Sequence, residues 1–314
     1  MISFVIPVFN EHESLSLLHA EIVQHAEPTG QPFEIVFVDD GCTDPSWSVI
    51  REIAGRDTRV KGIRFRRNFG KAAALSAGFG AAKGEIIFTL DADLQDDPSE
   101  IPRFLAEIAG GKDVVSGWKK RRYDPWHKTL PSKLFNGMVS RMTGVRLHDH
   151  NCGYKCYRRE IFREVRLYGE LHRFIPVLAA ARGFKVGEVV VNHRPRRFGH
   201  SKYGMKRFVK GFLDLLTVKF LTGFGQRPQH LLGSVGLVCF ALGGLGLTWL
   251  AITWIWRLWW PEPFPPIHER ALTLYSVAAL LLGAQFMTSG LLAEMMTAYM
   301  SREQDGYSIA ETTE

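Results

Sequence analysis

Two acids, Asp91 and Asp93, close the apolar run Glu85-Ile86-Ile87-Phe88-Thr89-Leu90, and Gln95 follows two positions later. Residues two apart on extended chain face the same way, so both carboxylates and the Gln95 carbonyl can address one space. All three are hard oxygen donors, the kind that holds Mg²⁺ or Mn²⁺ together with a substrate's phosphates. A β-branched run ending in acids reads as a buried parallel strand. Its carboxyl end opens on a crevice, where open α/β sheets bind their ligands. A purely structural explanation accounts for the residues just beyond, with Asp97 as a helix cap, Pro98 in the first helical position and Glu100 closing a capping box. It leaves Asp91 and Asp93 without a purpose.

The acids need a sheet to hold them, and residues 2–117 supply the pattern for one. Strands are expected at Ile2–Val8, Glu34–Asp39, Val60–Phe65, Glu85–Leu90 and Asp113–Ser116. Helical stretches lie between them, near Ser14–His25, Pro45–Ala54, Lys71–Lys83 and Pro98–Ile108. This alternation predicts an α/β, doubly wound, mostly parallel sheet. Asp44-Pro45 and Asp97-Pro98 mark two helix starts, and Gly84 is the expected stop of the third helix. Polar residues gather at three strand ends: Pro7, Asn10 and Glu11, then Asp39-Asp40-Gly41, then Asp91 and Asp93. A lone Asp-Asp-Gly is simply a good turn. Three such ends converging on one sheet edge define a site. No glycine-rich dinucleotide fingerprint or Gly-Lys-Ser/Thr loop accompanies them.

Length allows one sizeable domain plus something smaller, and a formal charge of +7 points to an anionic partner. Cys42, Cys152, Cys156 and Cys239 form no Cys-x-x-Cys pair, which favours a reducing compartment. The opening Met1–Pro7 reads as a strand, not as a signal peptide. Positive charge concentrates in residues 118–210, above all in Arg194, Arg196, Arg197, Lys202, Lys206, Arg207 and Lys210. Aromatic interleaving is sparse there and an apolar tail follows, so anionic lipid fits better than nucleic acid. Residues 204–229 are amphipathic, with Phe208, Phe212, Leu215 and Phe220 against Lys219, as expected of helices at a lipid interface. Leu231–Trp256 and Ala271–Ala293 are uncharged runs of spanning length, and Trp254, Trp256, Trp259 and Trp260 fit an aromatic belt. The distribution of cations places both termini in the cytoplasm. Small residues at Gly243, Gly244 and Gly246 permit close helix packing and a homo-oligomer.

Residues 1–117 also resemble the family 2 glycosyltransferases of the GT-A fold, through Val5-Ile6-Pro7-Val8-Phe9-Asn10-Glu11, Val38-Asp39-Asp40-Gly41-Cys42-Thr43-Asp44, Asn68-Phe69-Gly70-Lys71 and Asp91-Ala92-Asp93-Leu94-Gln95. Cys42 stands where the family usually has serine. The resemblance implies a nucleotide-sugar donor bound by Pro7, Glu11, Asp39, Asp40, Lys71 and Asp91, with a divalent cation on Asp91, Asp93 and Gln95. Arg122-Tyr123-Asp124, Lys128, Ser132, Asp149-His150-Asn151-Cys152-Gly153-Tyr154-Lys155 and His193–Tyr203 are similar to the polyprenyl-phosphate subgroup. By that resemblance Arg122, Lys128, Ser132, Arg196, Ser201 and Lys202 engage phosphate, and Asp93 and Asp149 serve the reaction near the transferred sugar.

The expected organisation is a catalytic domain over residues 1–203 (donor half 1–117, acceptor half 118–203), juxtamembrane helices over 204–229, a membrane hairpin over 230–294 and a tail over 295–314. The expected activity is transfer of a hexose, with UDP-glucose favoured, to undecaprenyl phosphate at a bacterial inner membrane. A GDP-mannose donor is the alternative. A processive polysaccharide synthase would carry Gln-x-x-Arg-Trp and more spans, and a non-enzymatic membrane scaffold would not need the acids.

Overall fold

The computed structural model describes residues 1–120, 126–165, 167, 169, 171–195, 206–224, 227–260 and 266–300. They divide into two units, Met1–Val218 and Lys219–Glu314. In the first, strand β1 (Ile2–Val8) lies mid-sheet, and α1 (His12–Ala26) returns the chain to β2 (Phe33–Asp39). Then come α2 (Ser46–Arg56), β3 (Val60–Arg64), α3 (Lys71–Ala81), β4 (Ile86–Thr89), α4 (Ile101–Ala109) and β5 (Val114–Trp118). The later half adds α5 (Trp126–Thr143), β6 (Lys155–Arg158), the one-turn α6 (Ile161–Glu164), α7 (Ile175–Ala181), β7 (Val186–Val190) and α8 (Lys206–Phe224).

The seven strands form one sheet in the order β3-β2-β1-β4-β6-β5-β7. All pairings are parallel except those of β6, which runs antiparallel between β4 and β5. Helices cover both faces, so the strands carry apolar residues on both sides. On β1, Ile2, Phe4, Ile6 and Val8 join one core with Leu15, Leu18 and Ile22 of α1, while Val5 joins another with Leu75 and Phe79 of α3. Strands β6 and β7 and helix α5 lie beyond the alternating stretch 2–117 and add to the expected sheet. A third cluster joins Val139 of α5 to Phe174, Val177 and, from α8, Leu215 and Val218. The opposite side of α8 exposes Phe212, Leu213 and Leu216, as an interfacial helix would.

Two local expectations are corrected. Helix α3 ends at Ala81, and Gly84 serves instead to let the chain pass β1, since a Cβ there would lie 2.7 Å from Met1 O. Asp97 does cap its turn, accepting Ser99 N–H at 3.0 Å, but Glu100 closes no capping box. Its carboxylate is drawn to Asn192 N–H and Arg103 instead.

The second unit is a hairpin of two helices, α9 (Pro228–Trp259) and α10 (Ala271–Met300). Both are long and apolar enough to cross a membrane. At 1.5 Å per residue α9 reaches about 48 Å, beyond a hydrocarbon core of about 30 Å. Their outward faces expose Leu245, Trp249, Leu258 and Leu281, which is the surface that lipid requires.

Candidate active site

Three strand ends and one helix start build the site. After β1 the chain turns through Asn10, held at φ 56°, a left-handed conformation that Asn tolerates because its short amide bonds locally. Asn10 Oδ1 accepts Thr43 N–H at 2.8 Å, tying the β1 end to the β2 end. After β2, Asp40 turns its carboxylate to the next loop and accepts Phe69 N–H at 2.7 Å and Gly70 N–H at 3.0 Å. Desolvation of that carboxylate exceeds the help from those two N–H groups, and its pKa lies above the usual value. Gly70 leads directly into α3, whose first residue, Lys71, places its ammonium on Asp91 Oδ1. The route Asp40, Gly70, Lys71, Asp91 thus connects β2 to β4 through hydrogen bonds and one ion pair.

The Asp91 carboxylate is partly desolvated, which alone would favour the neutral form, but Lys71 and then Lys119 outweigh this and bring its pKa to about 2. Its backbone N–H donates to Asp96 Oδ2 at 3.3 Å. Asp96 is buried and pairs with Lys119 at 2.8 Å, which anchors the acid loop to the end of β5. Asp93, 8% exposed, accepts Gln95 N–H at 3.2 Å.

Of the expected residues, Pro7, Glu11, Asp40, Lys71, Asp91 and Asp93 line one cavity of about 230 Å³, with Phe9, Asn68 and Gly70. Phe9 and Asn68 also border a wider cavity of about 660 Å³ that takes in Arg64, Arg66 and Arg67. Asp39, Gln95 and Asp149 stand outside the first lining. Asp39 is fully buried and accepts Cys42 N–H at 2.7 Å, so it shapes the turn. Gln95 donates its amide to Arg194 O at 3.4 Å. Asp149 is 1% exposed, with Oδ1 accepting Asn151 N–H at 3.1 Å. Ser132 is half-buried on α5, whereas the Lys128 side chain, Arg122, Arg196, Ser201 and Lys202 lie outside the described residues.

Sequence reasoning passed over Asp96, Lys119 and Gly153. A Cβ on Gly153 would stand 2.6 Å from Asp91 Oδ2, so this glycine lets the loop abut the acid. Its place in the Asp149–Lys155 motif was visible, but its neighbour was not. Among the described residues no three His, Cys, Asp or Glu side chains converge as a metal cage. Two carboxylates on an open cavity are nevertheless a suitable donor set for a hard cation that also binds phosphate oxygens and water.

The seven-stranded, mostly parallel sheet is GT-A-like with paired acids at its carboxyl edge, and residues 3–166 match the family model Glycosyl transferase family 2. The chain belongs to that family and is a glycosyltransferase. It is 36% identical over 310 residues to dodecaprenyl-phosphate galacturonate synthase of Rhizobium johnstonii, covering 96% of this chain and 89% of that one. It is also 36% identical over 294 residues to undecaprenyl-phosphate 4-deoxy-4-formamido-L-arabinose transferase of Edwardsiella ictaluri, covering 93% and 87%. In fold it resembles the crystal structure of Mycobacterium tuberculosis glucosyl-3-phosphoglycerate synthase in complex with Mn²⁺, UDP and phosphoglyceric acid. That likeness has a TM-score of 0.55 at 16% identity, over 71% of this chain and 78% of the other.

Proposed function

We propose that the enzyme transfers a sugar from a nucleoside-diphosphate donor to the phosphate of a membrane polyprenol by a single inverting displacement at the cytoplasmic face of a bacterial inner membrane. The observation that carries this reading is the meeting of Glu11, Asp40, Lys71, Asp91 and Asp93 in one cavity. The names of the two relatives and the two helices of spanning length support a polyprenyl acceptor.

An oxygen of the acceptor phosphate bonds to the anomeric carbon as the bond from that carbon to the diphosphate breaks. A phosphate monoester has a second pKa of about 6 and is ionised at neutral pH, so no strong base is required. Asp149, buried and turned onto Asn151, is accordingly assigned to positioning. Asp91 and Asp93 would hold a divalent cation, with Gln95 as a third ligand through its carbonyl oxygen. When bound, Mg²⁺ or Mn²⁺ offsets the negative charge that develops on the leaving diphosphate. Pro7, Glu11 and Asp40 line the donor's binding space, and the wider cavity beyond Phe9 gives its nucleoside room. Arg122, Lys128, Ser132, Arg196, Ser201 and Lys202 are assigned to the phosphate groups of this reading.

The donor is a UDP-sugar in this reading. UDP-glucose remains one candidate, and the relatives put galacturonate and 4-formamido-arabinose beside it. The test is a donor panel of these sugars against undecaprenyl phosphate in vesicles, with the lipid product identified by mass. A polyprenyl-phosphate sugar from one donor supports the reading. Equal donor consumption with and without the lipid overturns it.

A further inference from the structure

At one register of the sheet, four polar side chains stand in a row across four strands. Thr89 of β4 pairs with Lys155 of β6, Lys155 with Ser116 of β5, and Ser116 with Glu188 of β7. Register partners present their side chains to the same face, so the four form a polar line through an otherwise apolar interior. Thr89, Lys155 and Ser116 are buried, and the Glu188 side chain is 13% exposed.

Every member bonds the same loop, residues 148–153. Thr89 Oγ1 donates to Gly153 O at 2.8 Å. Lys155 Nζ donates to Cys152 O and, at 3.4 Å, to His150 O. Ser116 Oγ donates to Asp149 O at 3.3 Å. Glu188 accepts His148 N–H at 2.9 Å and Asp149 N–H at 3.0 Å. The loop is therefore gripped from end to end by the sheet beneath it, and its last residue, Gly153, abuts the Asp91 carboxylate. Lys155 is the centre of the row and the member that grips two carbonyls. An ammonium sunk among strands is costly unless it is hydrogen-bonded, and the two carbonyls, one either side of Asn151, are its bonds.

We propose that Lys155 is a positioning residue for Asp91: by holding His150 O and Cys152 O to the sheet it seats Gly153 against the carboxylate and fixes the direction in which Asp91 offers its oxygens. The proposal rests on the reading of Asp91 as a ligand for the donor's cation. Groups that orient a metal's ligands without touching the metal typically contribute about 10- to 100-fold to its affinity.

The test is Mn²⁺ binding to the full-length enzyme in the presence of UDP and the absence of acceptor, followed by electron paramagnetic resonance, for wild type, Asp91→Asn, Lys155→Met, Gly153→Ala and the double variant. Lys155→Met is expected to weaken Mn²⁺ by about 10-fold or more, with the KM for undecaprenyl phosphate within about 2-fold of wild type. Gly153→Ala is expected to do the same by pressing on Asp91 from the other end, and the double variant to add little to either single one, because both act through one contact. Full additivity, or a Lys155→Met enzyme that melts earlier but binds Mn²⁺ as wild type does, overturns the proposal. Should Lys155→Met not fold, Thr89→Val removes the bond to Gly153, together with the Thr89 contact to the Tyr157 hydroxyl, and must weaken Mn²⁺ in the same direction, whereas Tyr157→Phe, which loses the second contact alone, must not. Wild-type Mn²⁺ binding that survives Asp91→Asn unchanged would instead refute the ligand role of Asp91, whatever Lys155 does.

Discussion

Lys71 and Asp91 form an ion pair in the wall of the cavity that Glu11, Asp40 and Asp93 also line, although they belong to a helix start and a strand end 20 positions apart. Asp40 makes the pairing possible by holding Gly70, and Gly153 backs the carboxylate on its far side. Lys71 keeps Asp91 ionised in a place where partial desolvation works against charge. In the function proposed above, the cavity is thus set for cation and diphosphate before either arrives.

Asp93 is the acid whose loss should be felt most cleanly in turnover. It lines the cavity and accepts the backbone N–H of Gln95, two residues on. Asp93→Ala is expected to lower transfer by about 100-fold or more, the scale of a lost electrostatic contribution at a reacting centre. Radiolabelled sugar transfer to polyprenyl phosphate measures it, with an unchanged thermal midpoint as the control; near wild-type turnover would remove Asp93 from the chemistry.

Gly41 tests how the nucleotide end is shaped. It sits at φ 70°, and a Cβ there would stand 2.3 Å from the Arg67 carbonyl carbon. Gly41→Ala must push residues 67–68 away and loosen the Asp40 bonds to Phe69 and Gly70. We expect a raised KM for donor, an unchanged KM for acceptor and a stability loss of about 1–3 kcal/mol. Calorimetric UDP binding alongside thermal unfolding separates the two effects.

Much of the donor half was legible because its strand ends carry polar residues in sequence order: Glu11, Asp40, Asp91 and Asp93 were read from that pattern and Lys71 from the family resemblance, and all five line one cavity. Adjacent residues at a strand end face opposite ways, so Asp40 lines the cavity while Asp39 is buried in the turn. The acceptor half hid two strands. Lys155-Cys156-Tyr157-Arg158 alternates weakly and is flanked by charge, so its position in mid-sheet is decided by pairing with β4 and β5, which no local pattern records. The loop that backs Asp91 was out of reach for the same reason, since its bonds run to four different strands.

His150 gives the catalytic unit an acid limit. Burial, reinforced by the Lys155 charge, lowers its pKa from 6.5 to about 4, while Ser140 Oγ lies 3.0 Å from Nε2. A group whose pKa falls on folding binds fewer protons in the native state, so stability is full above pH 6.5 and drains away as pH falls from there toward 4. A shift of that size corresponds to roughly 3 kcal/mol across the window. Thermal midpoints of wild type should drop between those pH values, and those of His150→Asn should drop less. Parallel pH curves would show that some other group sets the limit.

The hairpin brings its two backbones into close contact at several glycines, Gly236 and Gly283 among them. A Cβ on Gly283 would lie 2.5 Å from Phe240 N and 2.7 Å from Gly236 O, and one on Gly236 would lie 2.8 Å from Gly283 O. Lipid is as apolar as leucine, so helices in it are held by such contact and not by exclusion from water. Gly283→Val should part α9 from α10 and cost about 1–3 kcal/mol by overpacking. Gly244→Val is the matched control, because nothing lies within 4 Å of a Cβ at that position. Tryptophan emission reads the outcome, since Trp249, Trp254, Trp256 and Trp259 all lie on α9. The expected result is an earlier and broader transition for Gly283→Val alone, with UDP binding by the catalytic unit preserved; identical melting of both variants would show that the glycine contact does not hold the pair together.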